Sequence, residues 1–240
     1  MNDRKESITD VRKIDFGAQL KKRFDAITPE RKSEIAEINR RADLMELNKK
    51  KDAALAWTKK IDIRYRSVSF DNYKITHEDQ QTAVGNLRKI AEDELPTQNV
   101  LLLGSTGTGK THLAASLLHV VCRRFVRCDF LTGRMFVNEL TNAARFQTED
   151  TADSVIAGYA RPQVLLLDDP APATGLTGAQ SWDLQELFDR RLNKCTVVTM
   201  NADTKERAAD MLGAQVFSRL CDNALIIGCF WNDNRMTNGN

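Results

Sequence analysis

The chain is 240 residues long with a mass of 27.1 kDa, room for one full-sized domain and a smaller one, which excludes a large modular assembly. With 42% hydrophobic and 28% charged residues and only 12 Gly and 5 Pro, it is a globular chain, neither fibrous nor disordered. A net charge of +2 conceals an asymmetry: residues 1–66 hold 18 Lys and Arg against 12 Asp and Glu, residues 67–240 hold 17 against 21, so basic character is local to the N-terminal region.

Residues 1–60 are charged and helix-prone, with Ile35, Ile38, Leu44, Leu47, Leu55 and Trp57 loosely at helical spacing, and Thr28-Pro29-Glu30 reads as a helix start with Pro at its first position. A small helical domain of two or three helices is expected there. Lys21-Lys-Arg23 and Lys49-Lys-Lys51 are short basic runs in a region that also carries many acids, and they read mostly as solvated helix surface. Residues 61–98 form a linker and leading helix: Tyr65, Val68, Phe70 and Tyr73 lie among polar residues, then a helical run from about 77 to 94 ends at Pro96. From residue 99 short apolar runs alternate with longer helical patterns. This predicts strands near 99–103, 125–131, 163–167, 195–200 and 224–228, helices near 110–123, 133–147, 180–192 and 204–221, and an α/β fold with a five-stranded parallel sheet over 99–240.

No run approaches the roughly 18 apolar residues of a membrane span, and Met1-Asn-Asp-Arg-Lys-Glu6 is not followed by the apolar core of a signal peptide, so a cytoplasmic location is expected. The five cysteines make no C-x-x-C pair and mostly sit in apolar runs, as structural thiols do; His77, His112 and His119 lie at spacings that suit no metal cluster.

Gly104-Ser105-Thr106-Gly107-Thr108-Gly109-Lys110-Thr111 fits the G-x-x-x-x-G-K-[ST] phosphate-binding pattern, and its context fits too, with an apolar strand before it and a helix beginning around His112. Glycines are needed because backbone N–H groups must converge on phosphate oxygens where a Cβ would intrude, while the helix presents its positive end. Lys110 is expected to reach the β- and γ-phosphates of ATP, and the Thr111 hydroxyl to ligate Mg²⁺, with Gly104 to Thr111 and the adjoining His112 as the nucleotide-binding residues. Val164-Leu-Leu-Leu-Asp168-Asp169 supplies the acidic half: Asp168 would hold Mg²⁺ through water and Asp169 would polarise the attacking water. The strand Cys195-Thr-Val-Val-Thr-Met-Asn201 is expected between the phosphate-loop and acidic strands. Asn201 at its tip either faces the γ-phosphate or serves the turn.

The run GSTGTGKTHLAASL, then LLLDD, FDRRLNKCTVVTMNAD, QVFSRL and the terminal WNDNR resembles the AAA+ ATPases of the bacterial helicase-loader (DnaC) and IstB transposition-helper group. The upstream RYRSVSFDNYKITHEDQQTAV resembles the segment preceding the phosphate loop in such loaders; the likeness spans about residues 61–235. The resemblance implies that Arg219 is an arginine finger offered to ATP in a neighbouring subunit and Arg235 a sensor acting in its own; either is otherwise a surface arginine. It also implies head-to-tail self-association in the ATP state, a hexameric replicative helicase (DnaB-like) held by the N-terminal domain, and contact with single-stranded DNA; Ile35, Ile38, Leu44 and Leu47 either dock onto that helicase or pack within the small domain. For the DNA contact, Arg145 offers a phosphate contact and Phe146 a stacking surface, unless Phe146 simply closes its helix.

Two departures stand out. Asp169 occupies a position where Glu is usual, so intact ATP binding with slow turnover is expected, and the 12 residues after Gly228 are too few for a helical lid, so a reduced or absent lid is expected. A helicase loader in DNA replication is the leading expectation, an IstB-like helper forming filaments on duplex DNA the alternative. A small-molecule phosphotransferase would need an acceptor pocket and a lid, and an initiator of the DnaA kind a duplex-binding module after the last strand.

Overall fold

The computed structural model describes residues 28–145, 151–172 and 174–231, and the chain divides into two compact units, Met1–Asn48 and Lys49–Asn240. In the first, the described residues belong to helix α1 (Pro29–Leu55), which continues past the unit boundary; Thr28 Oγ1 accepts from Arg31 N at 3.3 Å, so the expected start at Pro29 is observed. Ile38, Leu44 and Leu47 are exposed and Ile35 is half-buried. The helical domain expected over 1–60 has its last residues in the second unit, where Ala54, Trp57 and Ile61 are buried.

The second unit continues through two short 3₁₀ turns (Ala56–Lys59 and Ile63–Tyr65), α2 (Glu78–Glu92), β1 (Asn99–Leu103), α3 (Lys110–Cys122), β2 (Cys128–Thr132), α4 (Gly133–Arg145), α5 (Ala152–Ala160), β3 (Val164–Asp168), α6 (Gly178–Asp189), β4 (Cys195–Met200), α7 (Lys205–Leu212), α8 (Ala214–Cys221) and β5 (Ala224–Gly228). The five strands form one parallel sheet in the order β2-β3-β4-β1-β5. β4 therefore lies between the strand before the phosphate loop and the acidic strand, as the motif order predicts.

Period-two alternation divides the core. Val100, Leu102, Val164, Leu166 and Val197 face the layer of α2, α3 and the segment 54–73. Leu101, Leu103, Leu165, Leu167 and Val198 face α4 to α8. The central strands are buried on both faces, which explains their unbroken Val and Leu runs. At the opening edge of the sheet, Asn99 Oδ1 accepts from Thr196 N at 2.9 Å while its Nδ2 donates to Leu220 O at 3.2 Å, tying the starts of β1 and β4 to the end of α8.

Three boundaries differ from expectation. β2 begins at Cys128 because the chain turns through Phe125, held at φ 60°. α5 was not expected; Thr151 and Ser154 cap it reciprocally ahead of Val155, Ile156 and Tyr159. The single helix expected over 204–221 is two, since Gly213 at φ 87° ends α7 and opens α8. Among the described residues no helix is long and apolar enough to cross a membrane, and all five cysteines are free thiols, Cys122, Cys128, Cys195 and Cys229 being buried.

Candidate nucleotide site

The parallel sheet delivers the chemistry-bearing residues to one edge: the phosphate loop follows β1, the two acids end β3, and Asn201 follows β4. They line a cavity of about 570 Å³, a size suited to a nucleotide.

The loop's shape depends on glycine at defined points. Gly104 sits at φ 148°, and a Cβ there would come 2.2 Å from the Cys229 carbonyl oxygen. Gly107 and Gly109 lie at φ 90° and 87°, and a Cβ on Gly109 would meet the Tyr73 ring at 2.8 Å. Lys110, only 7% exposed, donates from Nζ to the Gly104 and Ser105 carbonyls at 2.8 and 2.7 Å and to Asn201 Oδ1 at 3.1 Å. The Thr108 hydroxyl also donates to Ser105 O, at 3.0 Å, and the Thr106 hydroxyl lies 3.5 Å from Asn201 Oδ1.

Asp168 Oδ1 accepts from two hydroxyls, Thr111 at 2.8 Å and Thr199 at 2.6 Å. Thr111 and Asp168 are thus neighbouring oxygens of the kind that suit a hard cation. Asp169 stands at φ 49° and donates its N–H to Thr199 O at 3.0 Å; Asn201 Nδ2 donates to its Oδ2 at 3.3 Å. Burial first, and repulsion from Asp168 second, raise the Asp169 pKa from its ordinary value, while Lys110 and Asn201 pull it back. Asn201 therefore joins the lysine to the second acid, oxygen toward ammonium and nitrogen toward carboxylate. A glycine cradle, a buried ammonium and a hydroxyl–carboxylate pair together fit a triphosphate with its magnesium ion.

The segment 54–73 runs along α3. Trp57 Nε1 donates to Cys122 Sγ at 3.0 Å, and Cys122 Sγ donates to Ala54 O at 2.9 Å, at the far end of the helix. His119 Nε2 lies 3.2 Å from Tyr65 O, and His112 Nε2 lies 3.1 Å from Ser69 O, so both rings carry the proton on Nε2. Burial lowers both imidazole pKa values from 6.5. The segment ends against the loop, where Tyr73 packs edge-on to His112 with centroids 5.1 Å apart. His112, expected among the nucleotide-binding residues, lines the cavity while its Nε2 holds this segment.

Arg219 lies elsewhere. It borders a cavity of about 110 Å³ with Thr97, Asn99, Asn193, Lys194 and Asp222, at the opening edge of the strands, and pairs through Nε with Asp189 Oδ1 at 2.9 Å. The phosphate loop begins at the other end of β1, whose five residues span about 15 Å. Arg235, Phe146 and the side chain of Arg145 lie outside the described residues.

Sequence reasoning passed over Thr199, Tyr73 and Trp231. Thr199 had a signal: on a strand, positions 199 and 201 share a side, so a hydroxyl two residues before Asn201 belongs to the same cluster. Tyr73 and Trp231 had none, because their partner in the loop is a backbone carbonyl.

In sequence, the chain is 36% identical over 107 residues to an insertion-sequence ATP-binding protein of Mycobacterium tuberculosis, covering 43% of this chain and 41% of that protein. It is 33% identical over 72 residues to one of Geobacillus stearothermophilus, covering 30% and 28%. The matches thus span less than half the length of these curated relatives. In fold it is similar to the DnaC helicase loader (TM-score 0.63, 21% identity, 70% of this chain and 99% of that one) and to DnaI (TM-score 0.58, 20% identity, 73% and 94%). It is also similar to AMPPCP-bound DnaA of Aquifex aeolicus (TM-score 0.57, 18% identity, 70% and 50%). At these identities the likeness is one of fold, the AAA+ form of the phosphate-loop α/β sheet. The family model for IstB-like ATP-binding proteins matches residues 41–225, a span that takes in the phosphate loop, both acids, Asn201 and Arg219. The chain therefore belongs to the IstB-like ATP-binding protein family and has the AAA+ fold.

Proposed function

We propose that this protein is an ATP-switched assembly factor that stacks head to tail on DNA and serves an insertion sequence as a transposition helper. The observation that carries the switch is the placement of Arg219: it stands at the opposite sheet edge from its own phosphate loop, so its guanidinium suits the triphosphate of a neighbouring copy. The insertion-sequence names of the two sequence relatives favour the helper over the loader that the resemblance put first.

In this reading the phosphate loop and Lys110 bind and orient the triphosphate, and Thr111 and Asp168 hold magnesium, with Thr199 keeping the carboxylate turned toward Thr111. Held there, the ion would supply positive charge to the triphosphate. Asp169 takes the proton of the attacking water, and Asn201, bonded to both Lys110 and Asp169, keeps these two groups in register. Arg219 of the adjoining copy stabilises the charge that develops as the γ-phosphoryl leaves, so ATP favours the stack and hydrolysis loosens it.

The second reading, a loader that binds a hexameric DnaB-like helicase and assists its placement on single-stranded DNA, draws support from the DnaC-like fold and from the exposure of Ile38, Leu44 and Leu47 on α1. Arg145 and Phe146 stay proposed contacts to a single strand, and Arg235 a proposed sensor in its own subunit. One experiment separates the readings. The protein is mixed with ATP and Mg²⁺ and either bare duplex DNA or hexameric helicase, and the mass of the product is measured by light scattering. ATP-dependent coating of duplex without helicase supports the helper; a stoichiometric helicase complex with no coating of duplex replaces it by the loader.

A further inference from the structure

The Thr108 carbonyl is a buried acceptor in the middle of the phosphate loop, and two side chains from distant parts of the sequence donate to it: Tyr73 Oη at 3.1 Å and Trp231 Nε1 at 2.7 Å. One donor arrives from the segment before β1, the other from beyond β5. Thr108 is fully buried, Tyr73 is 6% exposed and Trp231 9%, so water does not compete for these bonds.

The rest of the loop is tied in the same sense. Lys110 Nζ and the Thr108 hydroxyl occupy the carbonyls of Gly104 and Ser105. A phosphate-binding loop works when its N–H groups converge on the anion, which requires its carbonyls to be engaged elsewhere. Glycines at φ 90° and 87° on either side of Thr108 give this backbone many alternatives, so a loop held by glycine geometry alone would have to be ordered by the ligand at the ligand's expense in affinity. The Tyr73 ring, seated where a Cβ on Gly109 would be, closes off one set of those alternatives.

We infer that Tyr73 and Trp231 are positioning residues that jointly clamp the Thr108 carbonyl and so hold the phosphate loop in its anion-ready shape before nucleotide arrives. The clamp acts on the loop and not on the base, so it strengthens binding of any polyphosphate chain equally. It rests on nucleotide binding at this loop and is independent of which DNA or protein partner the ATPase serves. Because either donor alone satisfies the carbonyl and loss of both strands it, the two residues act with redundancy.

The test uses the full chain with Tyr73→Phe, Trp231→Phe and the double variant, each keeping its ring and losing its donor. Isothermal titration with Mg²⁺–ATP, and separately with inorganic tripolyphosphate and Mg²⁺, reads the affinity, and thermal unfolding checks the fold. Each single variant is expected to bind both probes about threefold more weakly, and the double variant thirtyfold or more, beyond the product of the singles. Affinity within twofold of wild type in the folded single and double variants overturns the clamp. So does a loss confined to ATP, which would make these residues contacts of the base. Should the double variant fail to fold, the singles decide by the same threefold criterion on both probes. Wild-type protein that binds neither probe, with Lys110→Ala no different, sinks the nucleotide site itself, an outcome distinct from wild-type binding that the variants leave untouched.

Discussion

Lys110 is the proposed pivot of nucleotide binding, because it joins the loop carbonyls and Asn201 from a nearly buried position. Lys110→Ala removes both the charge and the internal tie, and saturable uptake of labelled ATP should vanish. Gly109→Ala has a different cause: the new Cβ meets the Tyr73 ring and the backbone stands at φ 87°. About 2 kcal/mol of destabilisation is expected, with a fall in Tm of about 4–8 °C, accompanied by weaker ATP binding. At Asp169 the left-handed backbone offers a physical reason for aspartate in place of glutamate, since a short side chain that can bond locally tolerates φ 49° better than a longer one. Asp169→Asn keeps the shape and removes the proposed base; single-turnover hydrolysis should drop by about a hundredfold or more while the ATP affinity holds.

At the scale of elements, Arg191 joins four segments. Buried beyond α6, it donates to Thr196 Oγ1 and to the carbonyls of Tyr159, Pro162, Gln163 and Cys195, all neutral acceptors, and burial lowers its pKa to about 10. It thereby holds the end of α5 and the starts of β3 and β4 in the register that delivers Asp168 and Asn201 to one edge. Arg191→Met strands these acceptors and should lower stability by about 3 kcal/mol, or roughly 10 °C in Tm by calorimetry. The contacts along α3 carry a pH dependence. His119 has a folded pKa below 6.5, so the folded state binds fewer protons than the unfolded one, and stability is lost as pH falls through 6.5 toward the folded value. Denaturant titrations between pH 8 and pH 5 should show that decline, and His119→Gln should flatten part of it. The strands, the α/β class and the insertion of β4 were legible in the sequence because two-sided burial writes continuous apolar runs. The break at Gly213 and the capping at Thr151 were not, since each rests on the conformation of one or two residues inside a longer helical pattern.

At the scale of the whole molecule, the site residues contributed by motifs were readable because a glycine loop, two terminal acids and a strand-tip amide are chemical requirements with fixed spacing. What escaped were Tyr73 and Trp231, whose partner is main chain, and the segment between Trp57 and Tyr73, whose bonds to α3 are also largely to carbonyls. Arg219 was readable only through family resemblance, and its role between copies is a proposal that rests on its place at the opening edge of the strands. Arg219→Ala should leave ATP binding by dilute protein within about twofold of wild type and remove the rise of specific hydrolysis rate with protein concentration; a rate indifferent to concentration in the wild type contradicts a role between copies.

The distance between Arg219 and its own loop gives any head-to-tail stack unequal tips. In the proposed stack each interior copy would have its nucleotide completed from next door, but the last in line would have no one beyond it, so that its γ-phosphate would outlive the rest. Such a row would be a directional object: one tip would keep its fuel and offer a vacant socket, while the other would present an unused guanidinium. Growth, shrinkage and the capture of another protein at a chosen tip then follow from polarity written into a single sheet.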